Sequence, residues 1–229
     1  MSLGGMKIRK PVLRFNALVI SITTVIMFGI WTLLDLLSIS NNVFKITTVL
    51  ISFITSLGFY QTLVGLFAML FDLFDPFRKW VLGPYNLEGY WVGFSSGSQG
   101  NVRYYYEKYE QEIDEIYVSG QSFTENGGFH GSWNIMNPSI DINSGEMTYC
   151  FEADSLGNTF ANPGFGKFNF IRSNKKTPPS VLRGYTSYVY NTNKLLGVEV
   201  KLPKGVYTDQ ELFDEAKKVF EEYSYTLEE

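Results

Sequence analysis

The residues most suited to binding a ligand are arginines and large aromatic residues in the second half of the sequence. An arginine guanidinium can hold two phosphate oxygens at once, and aromatic rings stack on bases for about 1–3 kcal/mol per base. The candidate ligand-binding residues of this kind are Arg103, Tyr104, Tyr106, Trp133, Arg172, Arg183, Tyr185 and Tyr188. Their chemistry predicts a site for a small ligand with phosphates and rings. For each residue, packing in a core or an outward position is the alternative.

Residues for catalysis or metal binding are scarce. His130 is the single histidine and Cys150 the single cysteine, so the sequence contains no histidine-paired nucleophile, no Cys/His metal cluster and no internal disulfide. We interpret His130 as a polar strand residue rather than a base. The acidic run from Glu107 to Glu115 could hold a carboxylate pair for glycoside chemistry, but a solvated hairpin face is favoured. We predict no catalytic residue, no metal, no cofactor and no enzyme activity.

Charge is distributed unevenly along the chain. Of 19 basic and 23 acidic residues, 12 basic and 20 acidic residues follow Lys79. The second half is therefore acidic, which argues against non-specific binding to DNA or RNA. A small anionic ligand held by a few arginines is compatible with this charge.

The candidate residues lie in a stretch with the alternating pattern of β-strands. Eight segments rich in Tyr, Phe and Val are separated by turn-forming sequences, and Asn137 to Gly145 is one of the predicted loops. The predicted strands are 87–94, 102–110, 113–121, 128–136, 146–154, 164–172, 181–190 and 195–202. A sandwich or a barrel fits this spacing. We predict an all-β, antiparallel barrel of about eight strands, which can enclose one small ligand.

An amphipathic helix is predicted to follow the last strand. Thr208 and Glu211 have the spacing of a capping box, and apolar residues recur at helical spacing after them. We predict a C-terminal helix over 209–223 that packs on the barrel through its apolar face.

The first part of the chain contains two long apolar runs. No charge lies between Phe15 and Leu34 or between Ile46 and Phe71, and about 20 apolar residues suffice to cross a bilayer as a helix. We predict a two-helix transmembrane hairpin over 15–74, retained as an anchor rather than removed as a signal peptide; buried helices of a soluble core are the alternative. The predicted helix-packing residues, within the hairpin or between copies, are Ser52, Ser56, Gly58, Gln61 and Gly65.

Basic residues predict the orientation of this hairpin. They are concentrated before the first run and at Arg78 and Lys79, whereas the loop Ser38 to Lys45 contains only Lys45. The positive-inside rule therefore places both termini of this multi-pass protein in the cytoplasm. The predicted domains are a basic cytoplasmic N-terminus (1–14), the transmembrane hairpin (15–74), a linker (75–84) and a cytosolic barrel domain with its C-terminal helix (85–229).

This layout resembles a known family. A basic N-terminus, two membrane helices and a β-rich cytosolic domain that opens with L-E-G-Y-W (Leu87 to Trp91) resemble the SMODS-associated two-transmembrane, β-strand-rich effectors. These are membrane effectors of CBASS, the bacterial cyclic-oligonucleotide antiphage systems. The local G-x-W motif (Gly89, Trp91) also opens lipocalin-like barrels.

The resemblance implies a function and partners. It implies a barrel that binds a cyclic dinucleotide made by a partner nucleotide cyclase, followed by homo-oligomerisation and disruption of the bacterial inner membrane, with growth arrest or cell death. Two other classes stay open. One is a membrane-tethered binding or scaffold module, which the nucleotide could hold inactive, and the other is a membrane-anchored enzyme.

Overall fold

The computed structural model describes residues 9–37, 42–97, 101–155 and 161–227. It divides the described chain into two compact units, a helical unit at Arg9–Leu82 and a β-rich unit within Gly83–Glu229.

The helical unit consists of α1 (Arg9–Leu37), α2 (Asn42–Leu73) and α3 (Asp75–Leu82). Pro11–Leu33 in α1 and Ile54–Leu73 in α2 are long and apolar enough to cross a membrane. Only 11% of the most apolar stretch of each helix is buried. A core helix of a soluble protein buries its apolar face against other elements. Most apolar side chains of these two helices are exposed or half-buried instead, as they are in a helix that is surrounded by lipid.

Two connecting segments differ from the sequence-based prediction. Residues 42–45 of the predicted loop Ser38 to Lys45 belong to α2, and 38–41 lie outside the described residues. Most of the predicted linker 75–84 is helical, because Pro76 stands in the first turn of α3, where its missing N–H costs nothing. Lys79 also pairs with Asp75 at 3.0 Å, and Arg78 donates to the Phe71 and Asp72 carbonyl oxygens at 3.1 and 3.2 Å.

The predicted helix-packing residues lie mostly away from α1. Gly58, Gln61 and Gly65 are exposed, and a Cβ built on either glycine meets nothing within 4 Å. Their predicted role in packing the hairpin on itself is therefore wrong, because these positions are on the far side of α2. Ser56 is half-buried and lines a shallow groove with Thr24, Met27 and other residues of α1, and the Ser52 side chain is outside the described residues. Packing between copies stays a prediction.

The β-rich unit is a closed barrel, which confirms the predicted fold. Every strand is antiparallel to both neighbours, and the first strand pairs with the last. The strands are β1 (Gly89–Ser96), β2 (Val102–Gln111), β3 (Ile116–Phe123), β4 (Phe129–Asp141), β5 (Glu146–Ser155), β6 (Asn162–Ile171), β7 (Val181–Tyr188) and β8 (Asn191–Lys201). The prediction of a loop over Asn137–Gly145 is wrong in its first part. The register shifts between Met136 and Ser139, and this bulge lets β4 continue past Pro138.

The predicted C-terminal helix is confirmed as α4 (Asp209–Tyr223), with Thr208 and Glu211 forming the capping box. The helix packs on the outer face of the barrel, where its buried residues contact outward side chains of β1, β2, β3 and β8. The buried apolar residues of this outer cluster are Val92, Phe94, Phe123, Val181, Val198, Leu212, Phe213, Ala216 and Val219.

One end of the barrel interior is packed solid. We call it the closed end; it lies where β2 ends and β3 begins. Trp91 and Met147 are fully buried there, and the Trp91 indole N–H donates to the Leu87 carbonyl at 2.8 Å. The Gln111 amide closes this end by accepting from the Leu87 N–H and donating to the Tyr85 carbonyl, both at 3.0 Å. In the part of the chain that the structure describes, the free space of the interior lies toward the other end, which we call the open end.

Candidate ligand-binding site

A cavity of about 440 Å³ occupies the barrel interior at the open end. The open end is where β1, β3, β5 and β7 end and the following strands begin. Its lining includes Ser95 from β1, Arg103 from β2, His130 from β4 and Tyr188 from β7. Small-molecule sites typically measure about 300–1,000 Å³, so the cavity has the size of a binding site for one small ligand.

Glycines on the inner wall help to keep this space open. Gly120 pairs with Trp133 across β3 and β4, and a Cβ on Gly120 would lie 2.1 Å from the indole. Gly166 faces the Tyr149 ring in the same way, with a Cβ only 2.4 Å from it. Large rings therefore lie against the wall over glycines instead of projecting into the middle. The result is a cavity with aromatic walls.

A buried carboxyl group, Glu107, lies at the floor of the cavity. Its side chain is 1% exposed, accepts from the Trp133 indole N–H at 2.9 Å and accepts from the Tyr109 hydroxyl at 2.8 Å. Burial raises the pKa of Glu107 to about 7, although both hydrogen bonds act to lower it. The interpretation of the acidic run as a solvated face is wrong for Glu107, because its position in β2 points inward.

A second acid, Glu199, is buried in the same interior. Its Oε1 accepts from the Tyr105 hydroxyl at 3.1 Å, while its Oε2 is buried without a hydrogen-bond partner. Burial and the nearby Glu107 raise the pKa of Glu199 well above its usual value. Two carboxyl groups in one desolvated interior do not both ionise readily, so the interior favours the protonated form of Glu199.

The mouth of the cavity differs in charge from its floor. Arg103 is exposed at the start of β2, and its positive charge acts on His130 from β4 and on Tyr188 from β7. Desolvation and Arg103 together lower the pKa of His130, so the imidazole is neutral at pH 7. Asn101, Asn162 and Thr186 add hydrogen-bonding groups to the lining. The cavity therefore runs from a polar mouth, where Arg103 and Asp154 are the charged lining residues, to an acidic floor.

Three of the predicted ligand-binding residues line this cavity: Arg103, Trp133 and Tyr188. Their participation in binding stays a prediction. Five others lie elsewhere.

Tyr104 and Tyr106 are on the outer face of β2, because Arg103, Tyr105 and Glu107 alternate with them and point inward. The Tyr104 ring contacts Phe213 of α4 edge-on at 5.6 Å. The Tyr106 ring lies 5.9 Å from Phe123, which also packs outside the barrel. Their predicted contact with a ligand inside the barrel is therefore wrong.

Arg183 and Tyr185 are likewise on the outer face of β7, between the inward positions 182, 184 and 186. Lys194 lies over the Tyr185 ring, 4.4 Å from its centroid. Arg172 follows β6 near the closed end, where its guanidinium donates to the Ile142 and Lys175 carbonyl oxygens. The structure thus separates these three residues from the cavity.

Sequence reasoning missed several lining residues, chiefly Tyr105, Glu107, His130, Tyr149 and Phe151. The available signal was the two-residue period itself, since an inward Arg103 requires Tyr105 and Glu107 to point inward as well. The run of tyrosines at 104–106 concealed it, because aromatic residues occupy both faces of β2.

Comparisons with known proteins find similarity only at the level of weak structural matches to β-barrels. No family model matches the chain, and no curated protein matches it either. Among solved structures, the redesigned β-barrel b11L5F_LGL is 14% identical, with a TM-score of 0.41 over 53% of this chain and 96% of that one. The redesigned β-barrel mFAP1, solved bound to DFHBI, is 13% identical, with a TM-score of 0.40 over 52% of this chain and 98% of that one.

Proposed function

We propose that this protein is a bacterial antiphage membrane effector whose barrel binds a cyclic dinucleotide and whose helices then disrupt the inner membrane. One observation carries the proposal: a cavity inside the barrel that opens beside Arg103 and has aromatic walls. The family resemblance of the sequence supplies the link to cyclic dinucleotides and to membrane damage.

The chemistry of the cavity supports a nucleotide-class ligand. A cyclic dinucleotide has two phosphodiesters, for which a guanidinium is a bidentate partner, and two bases, for which rings such as Trp133 and Tyr188 are stacking partners. A ligand of this kind needs one or two well-placed cations rather than a broad basic surface. The acidic second half of the chain is compatible with that requirement.

The two apolar helices support an output at the membrane. Ligand binding shifts an equilibrium only if the ligand binds the assembled form more tightly, and a tenfold preference corresponds to about 1.4 kcal/mol. Two helices per chain do not enclose a pore, so a pore would require several chains, and homo-oligomers are part of the proposal. Both termini then lie in the cytoplasm, where a nucleotide cyclase supplies the ligand.

The binding experiment is a calorimetric titration of the full chain in lipid nanodiscs with cyclic di-GMP, cyclic di-AMP and cyclic UMP–AMP. We expect one of these to bind, and Arg103→Ala to weaken that binding by about 1–3 kcal/mol, the cost of losing a charged hydrogen bond. Arg183→Ala is the matched control and should bind normally, because Arg183 is on the outer face of the barrel. Equal affinity of the two variants would reject the assigned cavity.

The output experiment uses liposomes that contain the full chain and a trapped dye. We expect the bound cyclic dinucleotide to cause dye release from wild-type liposomes and much less release with Arg103→Ala at the same concentration. Suppression of a basal leak by the nucleotide would instead identify a module held inactive by its ligand. Turnover of the nucleotide would identify an enzyme.

A further inference from the structure

We propose that Arg103 and His130 together form an anion site at the mouth of the cavity, and that His130 takes up a proton when an anion binds there. The inference rests on the proposed function only in naming a phosphodiester of a cyclic dinucleotide as the natural occupant. The site itself follows from the geometry of the barrel.

Strand register brings the two residues to neighbouring levels at the open end of the barrel. Arg103 lies one residue beyond the level of Tyr104 and Phe123, and a register shift leaves His130 as the extra residue of β4 just inside that level. Ser122 of β3 pairs with Tyr105 on one side and with Gly131 on the other. Arg103 and His130 are the next lining residues toward the open end on β2 and β4. Strands β2 and β4 are separated by one strand, so their axes are about 10 Å apart, a gap that a long arginine side chain and an imidazole can close around one anion.

The charges around His130 explain why it is neutral without a ligand. The imidazole is partly desolvated and has the Arg103 guanidinium nearby, and both effects lower the pKa of His130. The other titratable groups on the lining strands that face the mouth are Asp154 of β5 and Tyr188 of β7, with Glu107 deeper in the cavity. An anion placed between Arg103 and His130 offsets the repulsion between the two cations and favours the protonated imidazole, which then donates to the anion.

The floor restricts the anion to the mouth. Glu107 and Glu199 are both 1% exposed, so an anion brought beside them would lose its hydration and would be repelled by Glu107 whenever that carboxyl group is ionised. A ligand with an anionic end and a neutral ring therefore enters with the ring inward, toward the aromatic walls. This polarity gives the ligand a single orientation along the barrel axis.

The unique histidine provides a direct test. The full chain, without a histidine tag and labelled at the histidine Cε1, is placed in phosphatidylcholine nanodiscs and titrated by NMR with sodium sulfate or with sodium chloride at equal ionic strength. Sulfate is a suitable probe because its charge is constant between pH 5 and 8. We expect sulfate to raise the pKa of His130 by about one unit, the lower end of the effect of a close opposite charge.

Two variants separate the anion site from general salt effects. Arg103→Ala should raise the pKa of His130 without sulfate, because a nearby positive charge is removed, and should abolish most of the sulfate response. Arg183→Ala should change neither value, because Arg183 does not line the cavity. A pKa of His130 that is the same in sulfate and in chloride would overturn the proposal.

Cyclic dinucleotide binding distinguishes this inference from the proposed function. Proton uptake makes the affinity fall as pH rises through the window between the ligand-free and ligand-bound pKa of His130, by at most tenfold per pH unit. We expect a several-fold loss of affinity from pH 6 to pH 8 that His130→Gln removes. Binding that is independent of pH in the wild type would reject the role of His130 and leave the proposed function intact. If no cyclic dinucleotide binds, the proposed function fails, and the sulfate titration still decides the anion site.

Discussion

At the residue scale, the most consequential side chain is Glu107, because it is a buried acid at the floor of a cavity with aromatic walls. Its carboxyl oxygens accept from Trp133 and Tyr109, so the group positions two large rings as well as supplying charge. Glu199 lies in the same interior and raises the cost of ionising the pair. The interior therefore stores an unfavourable electrostatic interaction that pH can relieve.

This interaction predicts how the stability of the barrel depends on pH. Glu107 has a pKa of about 7 in the folded chain against 4.5 as its reference value, so the folded state binds the extra proton between these values. Stability is highest below the unfolded pKa and is lost as pH rises through the folded pKa, by on the order of 3 kcal/mol in total. Glu107→Gln should therefore flatten the pH dependence of thermal unfolding between pH 5 and 8, followed by tryptophan fluorescence.

The substitution preserves the local hydrogen bonds, which makes the comparison clean. A glutamine oxygen can still accept from the Trp133 N–H, and its NH₂ group can donate to the Tyr109 hydroxyl oxygen. Glu110→Gln is the matched control on the same strand, because Glu110 is exposed. An unchanged pH profile in Glu107→Gln would show that Glu107 does not titrate in this range.

At the element scale, α4 is the part of the fold whose role is easiest to measure. Its apolar face packs on the outer surface of the barrel, and Phe213 is its largest deeply buried residue, 3% exposed. The Phe213 ring contacts Tyr104 and Phe123 edge-on, with centroids 5.6 and 5.4 Å apart. The helix thereby covers outward aromatic residues that water would otherwise reach.

We expect Phe213→Ala to destabilise the barrel unit by about 3–5 kcal/mol, the usual cost of removing a buried aromatic ring. Chemical denaturation followed by tryptophan fluorescence measures the loss. Val206→Ala is the control just before α4, because Val206 is 98% exposed and its truncation should change stability little. A loss below about 1 kcal/mol for Phe213→Ala would mean that the helix contributes little to the barrel.

The strands and the C-terminal helix could be predicted from the sequence, whereas the inward face of each strand could not always be. Period-two segments and turn compositions predicted all eight strands, and the Thr208–Glu211 capping box predicted α4. The inward face was not predictable where both faces are aromatic, as at Tyr104 and Tyr105. Glu107 was missed because an acid in a strand is usually solvated, and its burial depends on partners from two strands, Tyr109 and Trp133. Those partners are known only once the register is known.

At the scale of the whole molecule, the proposal assigns sensing to one unit and membrane damage to the other. The structure describes each unit by itself, with two apolar helices in one and the cavity in the other. The proposed function requires the barrel to lie on the cytoplasmic side, where the nucleotide is made. The proposed function therefore depends directly on the side of the membrane on which the barrel lies.

The single cysteine of the chain reports this orientation without any substitution. Cys150 is exposed on the outer face of the barrel. A membrane-impermeant maleimide should therefore leave it unlabelled in intact spheroplasts and label it after permeabilisation, if both termini are cytoplasmic as the basic residues predict. In the Cys150→Ala background, Ser40→Cys should show the opposite result, with labelling in intact spheroplasts, because the loop between the two apolar runs is predicted to face outward. Labelling of Cys150 from outside would place the barrel away from any cytoplasmic cyclase, and a cytoplasmic nucleotide could then no longer be its ligand.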